Sequence, residues 1–179
     1  GSETFDFSLK LHTPSAIIPA NFLGGKRASR ISLHCSGRAP TKLQIDLNAF
    51  RTSSFYTDTF RIFNCDLQQQ ADFLFLSDFE KLNSLSIQNS LSVASFYNLP
   101  PLHSLRQVVI YNCTGLSGLQ RFPSNALAAG LKHFDLALNS LGDEQVANIL
   151  SSLATSSTAR TLEVLRLSSN ELNYIPSST

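Results

Sequence analysis

Four histidines, three cysteines and a few glycine-rich turns are the residues of this 179-residue chain best suited to chemistry. A catalytic or metal-binding role needs them at particular spacings. None of His12, His34, His103 and His133 stands in an H-E-x-x-H frame, which would put two imidazoles on one helix face. His34 and Cys35 are adjacent in sequence, so in a strand they point to opposite faces and cannot act as base and nucleophile. Gly24-Gly25-Lys26 resembles the end of a phosphate loop, but Ala20 stands at the first glycine position and Arg27 at the hydroxyl position. Gly115-Leu116-Ser117-Gly118 lacks the glycine spacing of a nucleophile elbow. His133 and Asp135 have the spacing to share one strand face, with no nucleophile beside them. The expectation is a non-enzyme with no metal and no cofactor.

What does recur is apolar. Leu162-x-x-Leu165-x-Leu167-x-x-Asn170-x-Leu172 and Leu131-x-x-Phe134-x-Leu136-x-x-Asn139-x-Leu141 share one frame. Looser copies are Leu82-x-x-Leu85-x-Ile87-x-x-Ser90, Phe60-x-Ile62-x-x-Cys65-x-Leu67 and Val108-x-Ile110-x-x-Cys113. Ile31-x-Leu33 is the faintest. Anchored on Ile31, Phe60, Leu85, Val108, Phe134 and Leu165, the copies are spaced by 29, 25, 23, 26 and 31 residues. This resembles the leucine-rich-repeat phrase, whose period is about 20–29 residues. Each apolar-x-apolar pair makes a short strand with its apolar side chains inward, and only stacking of successive coils buries that face. The phrase therefore predicts an α/β fold, a horseshoe solenoid with a concave parallel sheet of about six strands. The convex side should be irregular, with Pro100-Pro101, Phe122-Pro123 and Ile175-Pro176 marking extended paths. One helix is expected over 143–156, where Val146, Ile149, Leu150 and Leu153 have helical spacing after Asp143 and Glu144. The predicted organisation is an N-terminal segment or cap over 1–28, with residues 1–2 an expression remnant, a solenoid over 29–176 and a short tail over 177–179. A competing arrangement folds Ile31-x-Leu33 into a hairpin with Leu43-x-Ile45-x-Leu47 across a turn at 37–41.

In the repeat frame Cys65 and Cys113 fall at equivalent places two coils apart, about 10 Å, which is too far for a disulfide. Both are expected as buried turn thiols. Cys35 lies one coil from Cys65 and has the proximity to bond it, although their frames differ by one position. The thiols favour a reducing compartment; Asn112-Cys113-Thr114, the one glycosylation sequon, points the other way. Net charge is +1, which argues against a nucleic-acid partner. No apolar run reaches the roughly 20 residues of a membrane helix. Residues 1–61 hold eight Lys/Arg against four Asp/Glu, so the basic character is concentrated at one end.

The frame also predicts the outward side chains of the sheet, the usual binding surface of a solenoid. The candidate partner-binding residues are Arg61, Phe63, Gln88, Tyr111, His133, Asp135 and Arg166. Phe63 and Tyr111 beside Arg61 stand out as anchors of the kind that dominate protein interfaces. Asn112, the candidate glycosylation site, sits at the lip of this face.

A longer set of motifs runs Asn64-Cys65-Asp66-Leu67, Phe73-x-Phe75-Leu76-x-x-Phe79-x-x-Leu82, Leu99-Pro100-Pro101-Leu102 and Asn112-Cys113-x-Gly115-Leu116. It continues through Thr161-Leu162-Glu163 and Asn170-Glu171-Leu172-x-x-Ile175-Pro176. Over roughly 17–176 this resembles extracellular arthropod, especially crustacean, leucine-rich-repeat proteins, some of them similar to the non-catalytic subunit of oplophorus luciferase. The resemblance implies secretion and supplies no ligand. The outward face of the repeats leads to the expectation of a protein partner, with a glycan as a second ligand class. Two other readings stand beside it: a non-catalytic stabilising subunit of a secreted enzyme, docking through an uncapped C-terminal repeat, or an intracellular repeat adaptor.

Overall fold

The computed structural model describes residues 4–117 and 130–170. Phe122-Pro123, Gly118, Leu172, Ile175-Pro176 and the C-terminal repeat edge lie outside them. Seven strands form one parallel sheet: β1 (Phe5–Leu11), β3 (Ala28–Cys35), β5 (Thr59–Phe63), β6 (Ser84–Gln88), β7 (Gln107–Tyr111), β8 (His133–Asp135) and β9 (Val164–Arg166), side by side in that order. A second parallel pair, β2 (Ser15–Ile18) and β4 (Lys42–Ile45), is continued by single bridges from Lys42 to Asp66 and from Asp66 to Leu91. The chain is thus a parallel-strand solenoid in which each coil contributes one strand to the main sheet.

Alternation explains the layering. The inward residues Ile31, Phe60, Leu85, Val108 and Phe134 are in register across adjacent strands and are fully buried. Leu33, Ile62, Ile87 and Ile110 form a second inner row. Opposite the sheet the connecting segments supply Phe50, Phe73, Phe75 and Phe79. Phe50, Phe75 and Phe79 pack their rings on Phe60, with centroids 5.3–6.2 Å apart, while Phe73 packs on Phe75. Large aromatic side chains suit this position because a coil without a helix has little backbone with which to fill its interior.

The ninth residue of each repeat closes its coil onto its neighbours. Asn139 is almost fully buried; its Oδ1 accepts the Cys113 N–H at 2.9 Å, and its Nδ2 donates to the carbonyls of Ile110 and Leu136. Asn170 repeats this one coil on, accepting from Asn139 and Leu141 and donating to Leu136 and Leu167. Ser90 does half of it, accepting the Cys65 N–H at 3.2 Å. Helix α1 (Asp143–Ala154) lies where the apolar spacing places it, with Val146, Ile149 and Leu153 buried. Its first turn is held by Gln145 Oε1, which accepts the Gly142 N–H.

Three expectations are corrected. The hairpin between Ile31-x-Leu33 and Leu43-x-Ile45 does not form: β3 lies parallel between β1 and β5, and β4 pairs parallel with β2. The sheet has seven strands where about six were expected. The addition is β1, whose Phe7 and Leu9 align with Ile31 and Leu33. Cys65 is not a free thiol but is bonded to Cys35, with Cα atoms 5.0 Å apart. The one-position mismatch in their frames is absorbed at Asn64, whose positive φ of 59° turns the chain after β5. Cys35, by contrast, is still part of strand β3. Asn89, Asn112, Leu138 and Ser169 make the same left-handed turn in the following coils. Cys113 is the free, buried thiol that was expected.

Candidate protein-binding face

The outward side chains stand in three columns that run straight across the sheet. Asp6, Arg30, Thr59, Ser84, Gln107, His133 and Val164 form the first, at the strand starts. Ser8, Ser32, Arg61, Ser86, Val109, Asp135 and Arg166 form the second. Lys10, His34, Phe63, Gln88 and Tyr111 form the third. From β3 through β7 the register does not slip, so side chains two strands apart are separated by about 10 Å.

The third column holds the aromatic centre. The His34 imidazole stacks on the Phe63 ring, centroids 4.6 Å apart and planes 14° from parallel. Both residues remain half-buried. Burial pushes the His34 pKa below its ordinary value, and the positive charges of Lys10 and Arg61 push the same way. Phe63 is therefore not bare: an imidazole from the neighbouring strand β3 shields one face of its ring. The repeat frame puts His34 beside Phe63 in one outward column, yet His34 is not among the candidate partner-binding residues read from the sequence. That shared column was the available signal. Gln88, next in the column, turns its amide to Ser86 Oγ at 2.9 Å. Tyr111 is half-buried beyond it.

The remaining candidates are spread out. His133 and Asp135 share the outward face, but the Asp135 carboxylate is buried and accepts the Ala137 N–H at 3.0 Å instead of engaging the imidazole. Arg166 is exposed on β9, four strands from Arg61. Asn112 is exposed, in the left-handed conformation, and donates to Asn89 Oδ1 at 2.9 Å. The structure thus gathers Arg61, Phe63, Gln88 and Tyr111 with His34, while His133, Asp135 and Arg166 lie toward the far end.

A polar depression of about 570 Å³ opens at the strand starts of β3 to β7. Arg30, Arg61 and Lys81 line it, together with Asp58 and the neutral side chains of Thr59, Asn83, Ser84 and Gln107. Among the described residues no group of three or more His, Cys, Asp or Glu is arranged to hold a metal ion. None of the helices there is long and apolar enough to cross a membrane. Comparison with known protein families, with curated proteins and with solved structures finds no match to this chain.

Proposed function

We propose that the chain is a leucine-rich-repeat solenoid that serves as a non-enzymatic, extracellular protein-binding module, engaging its partner with the outward face of the main sheet. The observation that carries this reading is the His34–Phe63 stack, with Arg61 and Tyr111 on the same face, where most other side chains are small or polar. A half-exposed aromatic pair beside an arginine combines the residue types in which interface energy concentrates. The Cys35–Cys65 disulfide is compatible with secretion. It fits a secreted module better than the intracellular adaptor, and secretion is also what the resemblance of the sequence motifs implies. The Asp135 carboxylate, buried and taken up by the Ala137 N–H, is not free to orient the His133 imidazole as a base, which supports a non-enzymatic role.

The test is capture from secretions of the source organism on the immobilised chain, with the Phe63→Ala/Tyr111→Ala double variant as control. A stoichiometric protein lost by at least about 30-fold in the variant is expected, since such anchors are typically worth about 2 kcal/mol or more. A protein held equally by both would place the interface elsewhere and favour the stabilising-subunit reading, with docking at the C-terminal repeat. Captured glycan in place of protein would change the ligand class.

A further inference from the structure

The depression at the strand starts has a chemistry that the aromatic column does not share. Three cations and one carboxylate line it, an excess of two positive charges. Arg30 and Arg61 lie on adjacent strands, two residues apart in register, which sheet dimensions put at roughly 8 Å. Lys81 reaches the rim from the segment before β6, its ammonium 4.6 Å from the centre of the Phe55 ring. None of the three has a carboxylate within ion-pair distance among the described residues. The one carboxylate present is already engaged: Asp58 Oδ1 accepts the Thr59 hydroxyl at 2.6 Å. Like charges held within a Debye length, about 10 Å at 0.1 M salt, repel one another unless a counter-charge sits between them. Of the three, Arg61 also acts on the aromatic column, where burial first, then Lys10 and Arg61, disfavour a charge on His34.

We propose that this depression receives the carboxylates of an acidic peptide segment of the partner, running along the strands so that its next apolar residue meets the His34–Phe63 stack. The proposal rests on the protein-binding reading above and names the chemistry of the partner. Thr59 to Phe63 is five residues of strand, four steps or about 13 Å. An extended segment of four or five residues covers both sites. Arg61, midway along the same strand, bridges them. A depression so open and so polar is poorly suited to a small apolar ligand, which needs an enclosed and mainly apolar pocket. It suits side chains delivered on a larger partner.

Fluorescence anisotropy with a dye-labelled hexaglutamate peptide tests this on the full chain at 25 and 200 mM NaCl. Saturable binding that weakens with salt is expected. Arg30→Ser with Lys81→Ser should weaken it at least 10-fold, whereas Lys26→Ser with Arg38→Ser, which removes the same charge from outside the depression, should change it less than 2-fold. Phe63→Ala should leave this purely acidic probe within 2-fold of the parent. Absence of binding at 25 mM NaCl, or equal loss in the two charge variants, overturns the proposal. So does binding of a sulfated tetrasaccharide of matched charge when hexaglutamate fails to bind. The two readings fail separately. A captured partner that is lost with Phe63 and Tyr111 but retained by the Arg30/Lys81 variant overturns the acidic-segment proposal alone.

Discussion

The imidazole of His34, on β3, lies flat against the ring of Phe63, on β5, 4.6 Å between centroids. The flat face that a neutral imidazole offers is lost in part when the ring gains a charge that must be solvated. Desolvation, Lys10 from β1 and Arg61 from β5 all hold the folded-state pKa below 6.5. The unfolded chain therefore binds the proton more readily, and stability falls as pH drops below 6.5 until the folded pKa is passed. Urea midpoints measured from pH 7.5 to 5.5 should decline, and His34→Phe, which keeps a ring on Phe63, should flatten that part of the profile. An unchanged slope in the variant would remove His34 as the source.

Reducing the Cys35–Cys65 disulfide frees a loop closed at a separation of 30 residues. Chain-entropy arguments put the loss at about 3.6 kcal/mol. The midpoint of urea unfolding should shift down by that equivalent under reducing conditions, and Cys35→Ala should reproduce the shift without added reductant.

Cys113 is buried, and burial lifts its pKa to about 11, so almost no thiolate exists near neutral pH. An aromatic disulfide reagent should find no fast-reacting thiol in the native chain, one in non-reducing denaturant, and three after reduction. Three before reduction would mean that the disulfide is absent.

Asn139→Ala removes the acceptor for the Cys113 N–H and the side-chain donor to the Ile110 carbonyl, while the Leu136 carbonyl keeps its bond from Asn170. Each buried group left unsatisfied costs about 1–3 kcal/mol. The expected destabilisation is about 2 kcal/mol or more by chemical denaturation. Asn139→Asp should also destabilise, because a carboxylate cannot donate.

The repeat spacing is enough to place outward side chains in columns: Phe63, Gln88 and Tyr111, each three residues past its anchor, do pair in register. That follows from the two-residue period of a strand, a purely local rule. Two features were harder to read. β1 was missed because Phe5-Asp6-Phe7-Ser8-Leu9-Lys10-Leu11 has the alternation but ends without the Asn or Cys turn that marks later coils. Its anchor Phe7 precedes Ile31 by 24 residues, inside the repeat period, so the spacing was there to be used. The disulfide was left open because counting positions assumes every strand ends alike. Asn64 turns left-handed directly after β5, while β3 runs on to Cys35, and only backbone conformation reveals the difference.

The unslipped pairing from β3 to β7 has an evolutionary consequence. Because each strand sits square against its neighbour, the face is a grid with a fixed pitch, in which a residue's address is its coil and its column. Duplicating or deleting one whole coil would slide everything beyond it by a single pitch and leave every column intact. A surface of this kind can lengthen or shorten to follow a partner while each site already present keeps its neighbours along the strand.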